Sequence, residues 1–185
     1  MTNLAVTHAL FRAGAPDFSD LPWGTPLSDW ADICSRLEEV QRGPSRHPVV
    51  FVNYNGELFA LKELPNGLAE KEYQLLAQLE KAGIPAVAPM GHLTARHEEN
   101  EDVSILITRY LDRSLPYWSL FQRSGLDRYQ EHLLDAMAEL LVRLHLGGIY
   151  WGDCSLSNTL FRRDAGALQA YLVDAETGEI HPPRL

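Results

Sequence analysis

Asp153 and Asn158 are the residues whose types and spacing most directly suggest chemistry. They lie five positions apart in the segment LHLGGIYWGDCSLSN, between a predicted helix and a predicted strand. A carboxylate and an amide so placed in a loop can face one pocket. There the aspartate would accept the proton of an attacking hydroxyl, and the asparagine would hold Mg²⁺ on phosphates. Alternatively, Asp153 caps a turn and Asn158 tolerates an unusual backbone angle, which the short pattern alone favours.

Three further residues extend this pattern. Asp174 ends an apolar strand sixteen residues after Asn158, and Mg²⁺ commonly takes one or two protein carboxylates. Lys62 shares a strand face with Ala60, so a small residue could cover an adenine while the ammonium reaches phosphate. Glu72 lies on the leucine face of the next helix, where a carboxylate needs a partner such as Lys62. The alternatives are an aspartate in a turn and a lysine at a strand edge with its head in water.

Hydrophobic periodicity predicts the elements that position these residues. Two β-rich runs between 48 and 64 flank Asn55-Gly56, a pair typical of a tight hairpin turn. A leucine stripe predicts a helix that begins near Leu68 and ends at Gly83. Residues 1–27 are predicted to form an irregular arm. Further helices are predicted over 29–40, 116–123 and 129–146, and further strands over 86–93, 103–110 and 170–174.

Four separated segments, in order, resemble the protein-kinase-like superfamily. They are the A-x-K of Ala60–Lys62, the E-x-x-L-L of Glu72–Leu76, the L-H-x-x-G-x-x-x-G-D-x-x-x-x-N of Leu144–Asn158, and Asp174. The phrases WGDCSLSNTLFRRDAG and YLVDAETGE are also similar to an uncharacterised bacterial domain family that is grouped with the lipopolysaccharide (Kdo) kinases. The resemblance covers roughly residues 45–178.

The resemblance implies a site for ATP and Mg²⁺. Lys62 would bind phosphate with Glu72 as its partner, Asp153 would be the catalytic base, and Asn158 and Asp174 would hold the metal. The remaining positions concern the nucleotide: Ala60 against the adenine, Thr108 as gatekeeper, Arg109, Tyr110 and Leu111 as the adenine-binding hinge, and Ser45 and Arg46 at the phosphates.

The sequence also departs from the pattern of protein kinases. Trp151 stands where a histidine is usual, two residues before the catalytic aspartate. Ala175-Glu176 replace the Phe-Gly after the metal aspartate, and Ser155 replaces a lysine common in protein Ser/Thr kinases. The loop expected to cradle phosphate contains only Gly43. Ser155 in place of that lysine weakens the case for a protein substrate.

The expected fold class is α+β and protein-kinase-like. Residues 1–44 would form an arm and a helix, and 45–111 an N-lobe with an antiparallel sheet and one helix. Residues 112–185 would form a partial, mainly helical C-lobe with the catalytic and metal-binding loops. The chain stops eleven residues after Asp174, so the helices that a kinase fold has beyond this point are missing from the sequence. Their absence would leave apolar surface uncovered, and self-association is therefore expected.

Composition excludes several other functions. Apolar residues make up 45% and charged residues 22% of the chain, and its formal net charge is −9. The sixteen basic residues are scattered, so a nucleic-acid partner is not expected. No segment approaches the roughly 20 apolar residues of a membrane span. The N-terminus has no basic leader, so a cytoplasmic location is expected.

Two side chains near the predicted loop receive simpler interpretations. His145 is expected to be buried and hydrogen-bonded. Cys154 is expected to be a packed thiol, because nothing near it in the sequence resembles a Cys-His nucleophile. The two cysteines, Cys34 and Cys154, are too far apart in the sequence to suggest a disulfide framework or a zinc site.

Two functions remain open from the sequence. The first is an ATP- and Mg²⁺-dependent phosphotransferase that acts on a hydroxyl of a small molecule or glycan. The second is a nucleotide-binding pseudokinase or regulatory interaction module without transfer activity, which the reduced phosphate loop favours. The sequence does not identify the acceptor.

Overall fold

The computed structural model describes residues 5–41, 43, 45–97, 102–121 and 126–182. The chain forms two compact units. The first contains Met1–Gln74 and Ala88–Tyr110, and the second contains Leu75–Val87 and Leu111–Leu185.

The first unit is built on a five-stranded antiparallel sheet. Its spatial order is β1-β4-β5-β3-β2, so both edge strands come from the N-terminal part of the chain. The strands are β1 (Val6–Phe11), β2 (Val49–Tyr54), β3 (Glu57–Pro65), β4 (Pro89–Arg96) and β5 (Asp102–Arg109).

The β2–β3 hairpin agrees with the sequence prediction. Asn55 and Gly56 both have positive φ angles, 56° and 86°. Such angles at both central residues define a two-residue turn whose twist matches that of antiparallel strands. The turn fixes the register that pairs Ala60 with Phe51 and Lys62 with Val49, and it therefore sets the face on which Lys62 lies.

Strand β1 is a correction to the predicted irregular arm. It pairs with β4, and Leu10 lies opposite His92. A Cβ atom at Gly91 would lie 2.6 Å from the Leu10 carbonyl oxygen, so a residue without a side chain permits the close approach of the two strands. The pairing is long-range, and local sequence carries little information about it.

Residues 15–37, called the covering segment below, pack on one face of this sheet. Strand alternation puts Phe59 and Leu61 on that face and Lys62 on the other. The segment contributes six core residues that are at most 9% exposed: Phe18, Leu21, Trp23, Leu27, Trp30 and Cys34. An aromatic and aliphatic layer thus closes the sheet on the side away from Lys62.

The predicted helix over 29–40 is wrong. Only Leu27–Asp32 are helical, as a 3-10 helix. The Trp30 indole N–H donates to the Thr25 carbonyl at 2.9 Å, which keeps this turn tight. Farther along, the Glu38 N–H donates to the Phe51 carbonyl and the Asn53 N–H to the Arg36 carbonyl. Pairing with β2 therefore replaces the remainder of the helix.

The helix α1 (Leu68–Lys81) lies close to its predicted range. Leu75, Leu76 and Leu79 are at most 5% exposed, as the leucine stripe predicts. The helix is followed by Gly83, whose φ is 69°, and by Ile84, whose N–H donates to the Leu79 carbonyl at 2.9 Å. A residue with positive φ here ends a helix while its last carbonyls keep hydrogen-bond donors.

In the described residues, the second unit combines the C-terminal half of α1 and two further α-helices with five short strands. The helices are α2 (Tyr117–Phe121) and α3 (Leu126–Leu146), and residues 122–123 of the predicted 116–123 helix lie outside the described residues. One sheet has the order β6-β8-β9, from Leu115–Pro116, Thr159–Asp164 and Ala167–Leu172. The other pairs β7 (Ile149–Trp151) with β10 (Gly178–Ile180).

Helix α3 buries one stripe. Leu133, Ala136, Leu140 and Leu144 are at most 5% exposed, whereas Leu134, Val142 and Leu146 on other faces are 55% to 78% exposed. Among the residues that the structure describes, no helix combines the length and apolarity needed to cross a membrane.

Candidate active site

Lys62 and Glu72 form a buried ion pair in the first unit. The Lys62 ammonium lies 3.1 Å from one Glu72 carboxylate oxygen and 3.5 Å from the other. Glu72 is 1% exposed, and the Lys62 side chain is 13% exposed. This is the contact that the position of Glu72 on the leucine face predicts. A buried carboxylate needs such a partner, because an isolated charge is costly to remove from water.

Ala60 and Thr108 are neighbours across the β3–β5 pair. Their Cα atoms are in register, and Lys62 lies opposite Leu106 two residues along. Thr108 is 8% exposed and Leu106 is 2% exposed. Small and apolar side chains therefore lie beside Lys62 on the same face of the sheet.

The backbone after Thr108 is partly occupied by the fold itself. The Arg109 N–H donates to the Ala88 carbonyl, and the Tyr110 N–H donates to the Leu58 carbonyl, both at 2.9 Å. The Arg109 guanidinium lies 3.6 Å from Glu57 on the exposed surface. The N–H groups of Arg109 and Tyr110 are therefore not available to a nucleotide in this arrangement.

Ser45 and Arg46 lie in the connection between two neighbouring antiparallel segments. Leu37 forms a bridge with Val52 of β2, and the chain returns to enter β2 at Val49. Both candidate phosphate residues are exposed. The His47 N–H donates to the Ser45 hydroxyl at 3.3 Å, which organises the end of this connection.

In the second unit, Asn158 is tied to Asp153. The Asn158 side-chain amide donates to the Asp153 backbone carbonyl at 3.0 Å. Asn158 ends a 3-10 helix, Leu156–Asn158, directly before β8. Since the nitrogen of the amide is used inside the loop, its oxygen is the atom left to act toward a cation.

Asp174 is held beside the same loop. The Val173 N–H donates to the Asn158 carbonyl at 3.0 Å, and the Trp151 indole N–H donates to the Asp174 carbonyl at 2.9 Å. One Asp174 carboxylate oxygen accepts the Glu176 N–H at 3.1 Å. A single hydrogen-bond network of backbone and side-chain groups thus connects the loops of the three candidate residues Asp153, Asn158 and Asp174.

Trp151 and Thr177 are two residues whose roles the sequence analysis missed. Trp151 stands where protein kinases have a histidine, and both side chains offer a ring N–H donor. Thr177 accepts the Asp153 backbone N–H on its hydroxyl oxygen at 2.9 Å. The signal available in the sequence was a hydroxyl residue in the short turn between Asp174 and Gly178.

The two simpler interpretations near this loop are wrong. His145 is exposed, because it lies on the face of α3 opposite the buried stripe. Cys154 is also exposed, since the loop turns its side chain outward. Partial burial, with a smaller contribution from the Asp153 charge, raises the pKa of the Cys154 thiol above its ordinary value. A raised pKa disfavours the reactive thiolate.

The residues present fit a magnesium ion that takes most of its ligands from phosphates and water. Within the described ranges, His, Cys, Asp and Glu side chains form no cluster of three or more that could hold a metal ion. Magnesium commonly needs only one or two protein oxygen ligands beside those of a nucleotide. The Asp174 carboxylate and the Asn158 amide oxygen, joined through the contacts described above, are a donor set of that kind.

Comparison with known proteins assigns both the family and the fold. A model of the lipopolysaccharide kinase (Kdo/WaaP) family matches residues 54–183, which include every candidate residue except Ser45 and Arg46. No curated protein sequence matches the chain.

Two solved structures are similar to the chain. One is WaaP in complex with acyl carrier protein, with 19% sequence identity and a TM-score of 0.58; the match covers 78% of this chain and 64% of that one. The other is the BubR1 kinase domain, with 16% identity and a TM-score of 0.55; the match covers 77% and 46%. The chain thus spans less than two thirds of either. These likenesses confirm the predicted α+β, protein-kinase-like fold.

Proposed function

This chain belongs to the lipopolysaccharide kinase (Kdo/WaaP) family, and on that basis we propose that it transfers the γ-phosphoryl group of ATP to a hydroxyl group. The acceptor is a small molecule or a glycan, and Mg²⁺ is the metal. The observation that carries the proposal is the network joining Asp153, Asn158 and Asp174. It supports a base and two metal ligands on loops that are hydrogen-bonded to each other.

Lys62 and Glu72 have the role of phosphate binding. The Lys62 ammonium neutralises the phosphates, and Glu72 keeps the lysine side chain in one position. A lysine held by a buried carboxylate loses little further freedom when a phosphate arrives. Preorganised charge of this kind stabilises a transition state better than a mobile side chain does.

The remaining nucleotide contacts follow the faces of the sheet and its connections. Ala60 and Thr108 lie against the adenine, with Arg109 and Leu111 offering backbone groups at its edge. Ser45 and Arg46 contact the phosphates. The in-register pairing of Ala60 with Thr108 supports this assignment.

Asp153 acts as the base. Its carboxylate orients the acceptor hydroxyl and accepts its proton as the oxygen attacks the γ-phosphorus. The new bond joins the acceptor oxygen to that phosphorus, and the bond from the phosphorus to the bridging oxygen breaks to release ADP. Asn158 and Asp174 hold Mg²⁺, which when bound neutralises charge on the phosphate oxygens.

The acceptor class and the cellular location are proposed on separate grounds. Ser155, in place of a lysine that is common in protein Ser/Thr kinases, favours a small molecule or glycan over a protein. A cytoplasmic location is proposed because ATP is the phosphoryl donor.

Substitution of Asp153 tests the proposal. Asp153→Ala should lower the rate of ADP formation from Mg-ATP by a factor of about 10² to 10⁴, the usual contribution of a positioned base. Stabilisation by Mg-ATP, measured as the rise in melting temperature, should be retained. Equal turnover in the variant would exclude the base role. The absence of any Mg-ATP shift in the unmodified protein would exclude nucleotide binding.

The alternative is a nucleotide-binding pseudokinase or regulatory module without transfer. The phosphate connection, with Gly43 as its only glycine, is the observation that favours it. A Mg-ATP shift in melting temperature without ADP formation by the unmodified protein would support this alternative over the phosphotransferase.

A further inference from the structure

Asp153 is held by its backbone on both sides. Its N–H donates to the Thr177 hydroxyl oxygen at 2.9 Å, and its carbonyl accepts the Asn158 side-chain amide at 3.0 Å. We infer that Thr177 is a positioning residue, which fixes the Asp153 backbone against the loop that carries Asp174. This inference rests on the proposed function, because it concerns the geometry of the same base.

The Thr177 contact is close as well as polar. A Cβ atom at Gly152 would lie 3.1 Å from the Thr177 carbonyl oxygen and 3.3 Å from its Cβ atom. Such distances are tighter than ordinary van der Waals contacts between carbon and its neighbours. Strand pairing of Trp151 with Gly178 holds the two chain segments at this separation. Glycine at 152 therefore allows the turn after Asp174 to pack directly on the catalytic loop.

The position of Asp153 depends on this double attachment. The Asn158 contact ties the carbonyl side of Asp153 to a proposed metal ligand. The Thr177 contact ties the amide side to the turn that follows the other metal ligand, Asp174. Together the two contacts fix the Asp153 backbone relative to both proposed metal ligands. A base whose backbone is fixed in this way keeps a constant position beside both ligands, a form of preorganisation that favours phosphoryl transfer.

A purely structural role for Thr177 makes a different prediction. Thr177 is exposed, so loss of its hydroxyl should change the stability of the fold very little. If the hydroxyl positions Asp153, its removal should instead reduce turnover and speed the exchange of the Asp153 amide hydrogen with water. These two effects separate positioning from general support of the fold.

The experiment compares Thr177→Val, Thr177→Ser and a matched control. Valine keeps the shape of threonine and removes the hydroxyl, whereas serine keeps the hydroxyl. Thr7→Val makes the same change at another exposed threonine, whose hydroxyl contacts the Thr94 carbonyl in β4. ADP formation from Mg-ATP gives kcat and the KM for ATP, and NMR gives the exchange rate of the Asp153 amide hydrogen.

In Thr177→Val, kcat should fall by a factor of about 10 to 100, as for a small displacement of a reacting group, with the KM for ATP nearly unchanged. The Asp153 amide should exchange about fivefold faster, since one hydrogen bond is lost. Thr177→Ser and Thr7→Val should keep values close to those of the unmodified protein.

An unchanged exchange rate of the Asp153 amide in Thr177→Val would overturn the inference, whether or not the protein turns over ATP. Faster exchange with unchanged kcat would also overturn it, because the contact would then not position the base. Failure of the proposed function gives a different result: no ADP forms from the unmodified protein, while the exchange measurement still decides whether Thr177 holds Asp153.

Discussion

The indole nitrogen of Trp151 lies 2.9 Å from the backbone carbonyl oxygen of Asp174. Trp151 is 5% exposed and lies in β7, directly before the loop of Asp153. The tryptophan thus connects the strand that leads into one loop with the backbone of the next. In protein kinases, which this sequence resembles, a histidine occupies the same position, and either ring can donate one N–H.

Replacement of Trp151 should therefore affect turnover through this donor. Trp151→Phe removes the N–H, and kcat for ADP formation should fall about tenfold, because Asp174 loses an attachment. Trp151→His keeps a ring donor and should lose less. Trp118→Phe, the same change at a half-buried tryptophan of α2, should leave kcat unchanged. A histidine variant as impaired as the phenylalanine variant would contradict the role of the N–H.

The Lys62–Glu72 pair should contribute to stability as well as to phosphate binding. Glu72→Ala should lower the free energy of unfolding by about 3–5 kcal/mol, since it leaves a largely buried ammonium without this carboxylate. The double change Lys62→Met with Glu72→Leu should recover most of that loss but no turnover. Urea unfolding and ADP formation measure the two effects.

An exposed ion pair supplies the control for this experiment. Arg143 and Glu139 lie four residues apart on α3, and their side chains are 42% and 53% exposed. Glu139→Ala should change the free energy of unfolding by less than about 1 kcal/mol. If Glu72→Ala costs no more than Glu139→Ala, the buried pair is not a stabilising contact.

His92 should make the stability of the first unit depend on pH. It is 4% exposed in β4, and its ring lies 5.2 Å from that of Tyr73 and 5.9 Å from that of His8. Burial lowers the pKa of His92 below its ordinary value of 6.5; the charge of Glu70 opposes this shift, and His8 adds to it. Between the lowered pKa and 6.5 the unfolded chain binds more protons than the folded one. The free energy of unfolding should therefore decrease as the pH falls below about 6.5.

Urea unfolding between pH 7.5 and pH 5 would measure this dependence. One proton limits the slope from His92 to about 1.4 kcal/mol per pH unit. His92→Phe should flatten the curve, while His132→Gln, at an exposed histidine of α3, should leave it parallel to that of the unmodified protein. Parallel curves for all three proteins would show that His92 does not cause the dependence.

The covering segment should be a major source of stability without contributing to turnover. Trp30 is 0% exposed and packs edge-on against Trp23, with ring centroids 5.5 Å apart. Trp30→Ala should lower the free energy of unfolding by about 3–5 kcal/mol. Ile33→Ala, at a residue 55% exposed, should cost less than about 0.5 kcal/mol.

Because the segment lies on the face of the sheet away from Lys62, the KM for ATP of folded Trp30→Ala should match that of the unmodified protein. The measurement belongs at a temperature below its unfolding transition. A large rise in KM at full folding would show that the segment influences the nucleotide site.

The elements that local patterns specify were predicted from the sequence. Asn55-Gly56 strongly favours a two-residue turn, and the spacing of the leucines within the fourteen residues of α1 indicates one buried face. The strand β1 was missed because its partner is β4, where the absent side chain of Gly91 makes room for it. The helix predicted over 29–40 was wrong for a similar reason, since pairing of Leu37 with Val52 replaces its second half.

The same distinction between local and long-range contacts applies to the candidate site. The partner of Glu72 could be predicted, because a carboxylate among leucines needs a cation. The contacts of Trp151, which donates to the Asp174 carbonyl, and of Thr177, which accepts the Asp153 N–H, could not be predicted, because each side chain binds a backbone group of a different loop. Such contacts depend on how two loops meet in space, and residue types alone do not encode that. The nucleotide and metal roles of the site remain predictions.

The position of β1 at the edge of the sheet, beside β4, affects folding during synthesis. The Thr7 hydroxyl contacts the carbonyl of Thr94, 87 positions later in the chain, and contacts at such separations slow folding. During synthesis, Phe18, Trp23 and Trp30 leave the ribosome well before β4 and β5 exist to receive them. These aromatic side chains therefore stay exposed to water on the nascent chain until residue 109 has emerged. During that period they are the surface to which we expect a chaperone to bind.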